Sequence, residues 1–172
     1  LILLLDVSRS MSLYSYLLLR FARGIVESFQ EAEAFVFHTR LVAVTAALRE
    51  RDIHKVKERL VVLSAGWSGG TRIGECLQAF NQGPGARMLN SRSKVIIVSD
   101  GFDTGPPDFL AGELAYIKRR ASKIVWLNPL LGREGYQPLA AGMQAALPWI
   151  DLFAPAHNLD SLLELEPRLV KL

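Results

Sequence analysis

Short apolar runs alternate along the chain with longer segments of helical spacing. Leu1–Leu5 is an unbroken apolar run stopped by Asp6, the pattern of a strand buried on both faces. Leu17, Leu18, Phe21, Ile25 and Phe29 then recur every three or four residues, which predicts a helix from Leu13 to Gln30. Ala34–His38 and Leu41–Thr45 flank Thr39-Arg40 and predict a tight hairpin, although that pair lacks the usual Gly or Asn. Ile53, Val56, Leu60 and Leu63 again have helical spacing, with a strand over Leu60–Ala65 as the competing assignment. Thr71–Gln82 reads as a helix presenting Ile73, Leu77 and Phe80 on one face, and Gly83-Pro84-Gly85 breaks it. Lys94–Ser99 contains Val95-Ile96-Ile97-Val98, a fully buried strand by type. Further elements are a helix over Asp108–Ala121, a strand over Lys123–Leu127 and a helix over Gln137–Leu147. Trp149–Phe153 is the last strand and Leu159–Leu169 a closing helix.

Strands alternating with helices imply a three-layer α/β/α sandwich around a mostly parallel sheet. The hairpin adds one antiparallel edge strand. In such sheets ligands bind outside the carboxyl ends of the strands, at the point where the strand order reverses. The polar residues that end the strands are therefore the candidates for chemistry.

Composition narrows the picture. The 172 residues are half hydrophobic and 22% charged, too apolar for a disordered chain and the right length for one domain over residues 1–172. The longest charge-free stretch, Gly135–Ile150, has 16 residues and carries two prolines, so no membrane span is expected. Leu1–Leu5 has no basic flank or cleavage site, so it is no signal peptide. The chain starts inside an apolar run without Met, which suggests a domain cut from a longer protein. A net charge of +3, with the basic residues scattered, gives no footprint for nucleic acid. The lone Cys76 excludes an internal disulfide and a thiolate zinc cluster, and it fits a reducing, cytoplasmic setting.

The first strand ends in Asp6-Val7-Ser8-Arg9-Ser10 and the Val95–Val98 strand in Ser99-Asp100-Gly101. If these strands are neighbours, two carboxylates meet at one edge, and they repel unless a cation or a proton intervenes. Ser8 and Ser10, two apart in an extended turn, can turn their hydroxyls the same way as Asp6. Thr71, after the glycine pair of Trp67-Ser68-Gly69-Gly70, can add a third hydroxyl. Two carboxylates and three hydroxyls form an all-oxygen set, suited to Mg²⁺, Mn²⁺ or Ca²⁺ rather than zinc. The competing reading is that Asp6 and the serines cap a turn and the first helix.

Taken together, Asp6-x-Ser8-x-Ser10, Thr71 after a Gly pair, and Ser99-Asp100-Gly101 resemble the metal-ion-dependent adhesion site (MIDAS) of von Willebrand factor type A (VWA) domains. All five positions of that pattern match, in order, and the resemblance covers essentially the whole chain. Ser68–Gly74, Ser99–Gly105 and Trp126-Leu127-Asn128-Pro129-Leu130 further resemble the CoxE-like branch. The resemblance implies that Ser8, Ser10 and Thr71 are hydroxyl ligands and that Asp6 and Asp100 hold the ion directly or through water. It implies a remaining position for an Asp or Glu carboxylate of a protein partner. The branch implies a bacterial accessory protein, without catalysis of its own, that works with a MoxR-type AAA+ ATPase in maturation of a molybdenum enzyme or other metalloenzyme. Arg9, between the serines, and Asp103, past Asp100, are the residues placed to touch a partner; for Asp103 the preferred reading is stabilisation of the Gly101–Gly105 turn.

One enzymatic pattern competes. Gly66-Trp67-Ser68-Gly69-Gly70 matches G-x-S-x-G, and Asp100 and His157 follow in the order of an α/β-hydrolase triad. That reading needs a strand rather than a helix before Ser68 and leaves Asp6, Ser8, Ser10 and Thr71 without a task. His157 is instead expected to cap the last helix, Asn128 to form a strand-end turn with Pro129, and Cys76 to be a small buried apolar residue.

Overall fold

The computed structural model describes residues 1–50 and 70–165. Six strands form one sheet: β1 (Ile2–Asp6), β2 (Glu33–Phe37), β3 (Leu41–Ala43), β4 (Lys94–Val98), β5 (Lys123–Asn128) and β6 (Leu152–Pro155). Their order is β3-β2-β1-β4-β5-β6, and every neighbouring pair is parallel except β2–β3. The expected mostly parallel sheet with one antiparallel edge strand is therefore present. The predicted helix around Ile53–Leu63, the alternative strand Leu60–Ala65, and Trp67 and Ser68 lie outside the described residues.

Side chains alternate across the sheet with period two and build two cores. Leu3, Leu5, Val36, Ile96, Val98 and Leu127 face α1 (Ser15–Ser28), which presents Leu18, Ala22 and Val26. Ile2, Leu4, Phe35, Ile97 and Trp126 face the other side. There they meet Ile73, Leu77 and Phe80 of one helix and Leu110, Leu114 and Ile117 of a second. Each fully buried Leu or Ile contributes about 1.5–3 kcal/mol, so the central strands anchor the fold.

Helix boundaries depart from the periodicity where tertiary contacts intervene. A 3-10 turn over Arg9–Tyr14 precedes α1, which stops at Ser28; Phe29 is extended and 52% exposed rather than on the buried face. After α2 (Thr45–Leu48), the next described helix is α3 (Ile73–Gln82), which begins two residues past Thr71. The Gly83-Pro84-Gly85 break leads straight into a short α4 (Gly85–Met88). α5 spans Pro107–Arg120, one residue earlier than expected, with Pro at its first turn. α6 is confined to Ala141–Ala146 and followed by a 3-10 turn over Leu147–Trp149. The last strand starts at Leu152 instead of Trp149, because Asp151 anchors it to β5: its backbone N–H donates to the Ile124 carbonyl (2.8 Å) and its Oδ2 accepts from the Ile124 N–H (2.8 Å). α7 covers Leu159–Leu163; the predicted continuation to Leu169 extends beyond the described residues. Asn158, not His157, caps it, through a reciprocal pair of bonds with Ser161.

Candidate metal-binding site

The chain leaves β1 toward the α1 face and leaves β4 toward the α5 face, so the sheet order reverses between these adjacent strands. That reversal opens a crevice at their carboxyl ends. Asp6 is the last residue of β1, and Leu5 pairs with Val98, which brings Ser99 opposite Asp6.

Asp6 is buried and bonded through both carboxylate oxygens. Its Oδ1 accepts from the Ser8 N–H at 2.8 Å, and its Oδ2 accepts from the Ser99 hydroxyl at 2.7 Å. Burial nevertheless dominates, and with a further push from the Asp100 charge it raises the Asp6 carboxyl from 3.8 to about 6. Asp100 is equally buried. Its Oδ1 accepts from the Phe102 N–H at 3.2 Å, whereas its Oδ2 is buried without a hydrogen-bond partner among the described residues. A buried acceptor left unmade costs about 1–3 kcal/mol or more when charged, so this oxygen needs an explanation.

The hydroxyls gather at the same edge. Ser8 Oγ lies 3.0 Å from Ser10 Oγ. Ser8 occupies the N-cap position of the 3-10 turn, yet its side chain makes no cap hydrogen bond, which removes the plain capping role for that serine. Ser10 sits inside this turn rather than in an extended segment, and is exposed. Thr71 is buried, and its hydroxyl makes no hydrogen bond among the described residues. Its carbonyl accepts from both the backbone N–H and the hydroxyl of Thr104, each at 2.9 Å, so the loop that carries Asp100 clasps the loop that carries Thr71. All five predicted ligand residues thus lie on three loops joined at one sheet edge.

The remaining candidates separate. Arg9 is exposed beside the serines. Asp103 turns inward: Oδ1 accepts from the N–H groups of Ile73 (2.9 Å) and Gly105 (3.1 Å), and Oδ2 from Gly74 N–H (3.1 Å). It stabilises the turn, as preferred from sequence, and it also caps α3 from a distant loop, which is why α3 starts at Ile73; it does not present its carboxylate to a partner. Asn128 ends β5 as expected: its Oδ1 accepts from Leu130 N–H (2.8 Å), while Nδ2 donates to the Asp100 carbonyl (3.2 Å). His157 and Asp100 share no hydrogen bond: His157 Nδ1 is buried without a partner among the described residues, and the ring covers Gly132. Cys76 is a buried free thiol pushed up to about 12, chiefly by burial. A cavity of about 1010 Å³ lined by Leu1, Phe21, Ile25, Lys94 and Leu163, among others, lies at the opposite ends of β1 and β4 and shares no residue with the crevice.

Three contributors escape a reading by sequence. Ser99 Oγ bonds Asp6 and also accepts from Gly101 N–H (3.0 Å), so one hydroxyl ties both carboxylate-bearing loops together. Its only signal was its place before Asp100. Thr104 had none, because its partner lies 33 residues away. Phe102, two residues past Asp100, is 50% exposed. Gly101 has φ +80°, and a Cβ there would lie 2.7 Å from Met143 Sδ. Gly101→Ala is therefore expected to cost about 1–3 kcal/mol in urea unfolding, through both strain and overlap.

Among the described residues no group of three or more His, Cys, Asp or Glu side chains converges. The crevice instead offers hard oxygens, with one carboxylate oxygen unshared, and this donor set fits a hard divalent cation. A family model for VWA-domain-containing CoxE-like proteins matches residues 1–162. The chain belongs to the CoxE-like VWA family. Solved structures agree on the fold of this VWA domain. Proximal thread matrix protein 1 from the mussel byssus aligns with TM-score 0.60 at 18% identity, over 99% of this chain and 44% of its own. A von Willebrand factor type A protein from Catenulispora acidiphila aligns with TM-score 0.61 at 15% identity, over 95% of this chain and 39% of its own. BatB from Bacteroides thetaiotaomicron aligns with TM-score 0.56 at 15% identity, over 99% of this chain and 96% of its own. The VWA domain thus spans less than half of the first two. Another structure of the mussel protein, at 18% identity over 99% of this chain and 44% of its own (TM-score 0.56), has a zinc-occupied MIDAS motif. No curated protein matches the sequence significantly. No described helix is long and apolar enough to cross a membrane.

Proposed function

We propose that this VWA domain is a cation-dependent protein-binding module without catalysis of its own. Asp6, Ser8, Ser10, Thr71 and Asp100 hold a divalent cation, Mg²⁺ in the first instance, with Mn²⁺ or Ca²⁺ as alternatives. The observation that carries this reading is the buried Asp100 Oδ2, which has no hydrogen-bond partner among the described residues although it belongs to a carboxylate whose charge adds to the effect of burial in raising the pKa of the neighbouring Asp6. The same geometry divides the roles. Asp100 offers an unshared oxygen to the ion, whereas Asp6, bonded through both oxygens, supplies charge and orders the Ser8 loop. When bound, the cation supplies a Lewis-acidic position for one Asp or Glu carboxylate of a protein partner. A charge-assisted contact of that kind is directional and fixes the register of an interface. Exposed Arg9 and Phe102 flank it and give the partner's acidic residue a basic and an apolar neighbour.

Membership of the CoxE-like family supports a more specific role: an accessory protein, cytoplasmic, that couples a MoxR-type AAA+ ATPase to the maturation of a molybdenum enzyme or other metalloenzyme. Pull-downs of the full-length protein with a purified MoxR-type ATPase test it. Binding is expected in 5–10 mM Mg²⁺, about the concentration that saturates a millimolar site. It is expected to disappear in EDTA and to weaken in Phe102→Ala without loss of cation binding. Equal capture with and without EDTA would sink the proposal.

A further inference from the structure

Asp103 lies three residues past Asp100 on the loop that follows β4, yet its carboxylate is spent on the segment that follows Thr71. Ile73 and Gly74 donate to it at 2.9 and 3.1 Å, and Thr104 donates twice to the Thr71 carbonyl. Thr71 is thus bracketed. Its carbonyl is held by Thr104, and the first two amides of the helix that follows are held by Asp103. Close packing leaves no slack, since a Cβ at Gly70 would lie 2.1 Å from Thr104 Cγ2 and one at Gly74 would lie 3.0 Å from Phe109. The Asp100 loop therefore sets where Thr71 stands relative to Asp100. By contrast, Ser8 and Ser10 are tied to Asp100 by a separate route, through Asp6 and Ser99.

We propose that Asp103, assisted by Thr104, is a positioning residue that acts on the cation through Thr71 alone. This rests on the cation reading above and deepens it. The site then consists of two independently held halves: a serine half keyed by Ser99 and a threonine half keyed by Asp103. Asp103 touches neither the ion nor the partner.

A double-mutant cycle tests this, with Mn²⁺ as the probe and its Kd read by electron paramagnetic resonance. Asp103→Ala and Thr71→Val are each expected to weaken Mn²⁺ about tenfold, the usual range for a residue that orients a ligand. Because they act on the same contact, the double variant is expected to be no weaker than about tenfold. Asp103→Ala combined with Ser10→Ala, in the other half, is expected to multiply to about a hundredfold. Thr104→Val, exposed and easier to fold, is expected to cost about threefold and to add nothing in a Thr71→Val background. Multiplicative losses between Asp103 and Thr71, or an unchanged Kd in Asp103→Ala, would overturn the positioning role while wild type still binds. Absence of Mn²⁺ binding by wild type would overturn the cation reading itself.

Discussion

Asp100→Ala is expected to abolish cation binding while leaving the apo domain at least as stable as wild type. In EDTA the native Asp100 carries a buried oxygen with no partner among the described residues and adds repulsion to Asp6. Among the described residues its carboxylate accepts a single hydrogen bond, a part-buried 3.2 Å contact from Phe102 N–H. Removing the carboxylate forfeits that contact and relieves the charge. Wild type with a Kd of about 1 mM should gain about 1.4 kcal/mol in 10 mM Mg²⁺ or Mn²⁺, or about 3–6 °C in Tm. The variant should gain nothing. Asp6→Ala differs, because it strips the acceptor from both Ser99 Oγ and Ser8 N–H, and it should lose stability together with the cation. A cation-induced shift that survives in Asp100→Ala would remove Asp100 from the site.

In EDTA the domain should also lose stability as pH rises from about 4 to 6, the reverse of ordinary acid denaturation. The Asp6 carboxyl is raised from 3.8 to about 6, chiefly by burial. Its contribution is therefore fully present below pH 3.8 and is lost as pH rises through about 6, where the buried group must ionise. The full loss is about 3 kcal/mol at roughly 1.4 kcal/mol per pH unit, or about 6–12 °C for a domain of this size. Asp6→Asn should flatten the profile. Saturating Mg²⁺ should flatten it too, since the cation takes the place of the proton, and cation affinity should fall below pH 6 for the same reason. Thermal unfolding between about pH 4 and 8, in EDTA and in Mg²⁺, reads both effects. A flat profile for wild type in EDTA, or an unaltered slope in Asp6→Asn, would show that Asp6 is not the group concerned.

Local pattern carried most of the architecture and the meeting of the candidate residues at one edge. Unbroken apolar runs such as Leu1–Leu5 and Val95–Val98 could be satisfied only by strands covered on both faces, and polar residues at their ends had to fall at the sheet edge. Asp6, Ser8, Ser10 and Asp100 stood out as candidates because they follow those strands directly and Thr71 because it follows a glycine pair, and residues 1–162 match the family they pointed to. Helix ends were less legible. α3 begins at Ile73 because Asp103, 30 residues away, caps it, and β6 begins at Leu152 because Asp151 pairs with Ile124. The division of labour within the site was not legible at all. Two carboxylates of the same type differ only in their surroundings: Ser99 and Ser8 occupy both oxygens of Asp6, and no described residue occupies one oxygen of Asp100. The sequence by itself determined which residues could meet at the sheet edge, because hydrophobic periodicity and strand ends are properties of adjacent residues. Only the tertiary structure decided which carboxylate is spent on the protein and which keeps an oxygen unpartnered among the described residues, because hydrogen bonding and desolvation are set by neighbours far away in the chain.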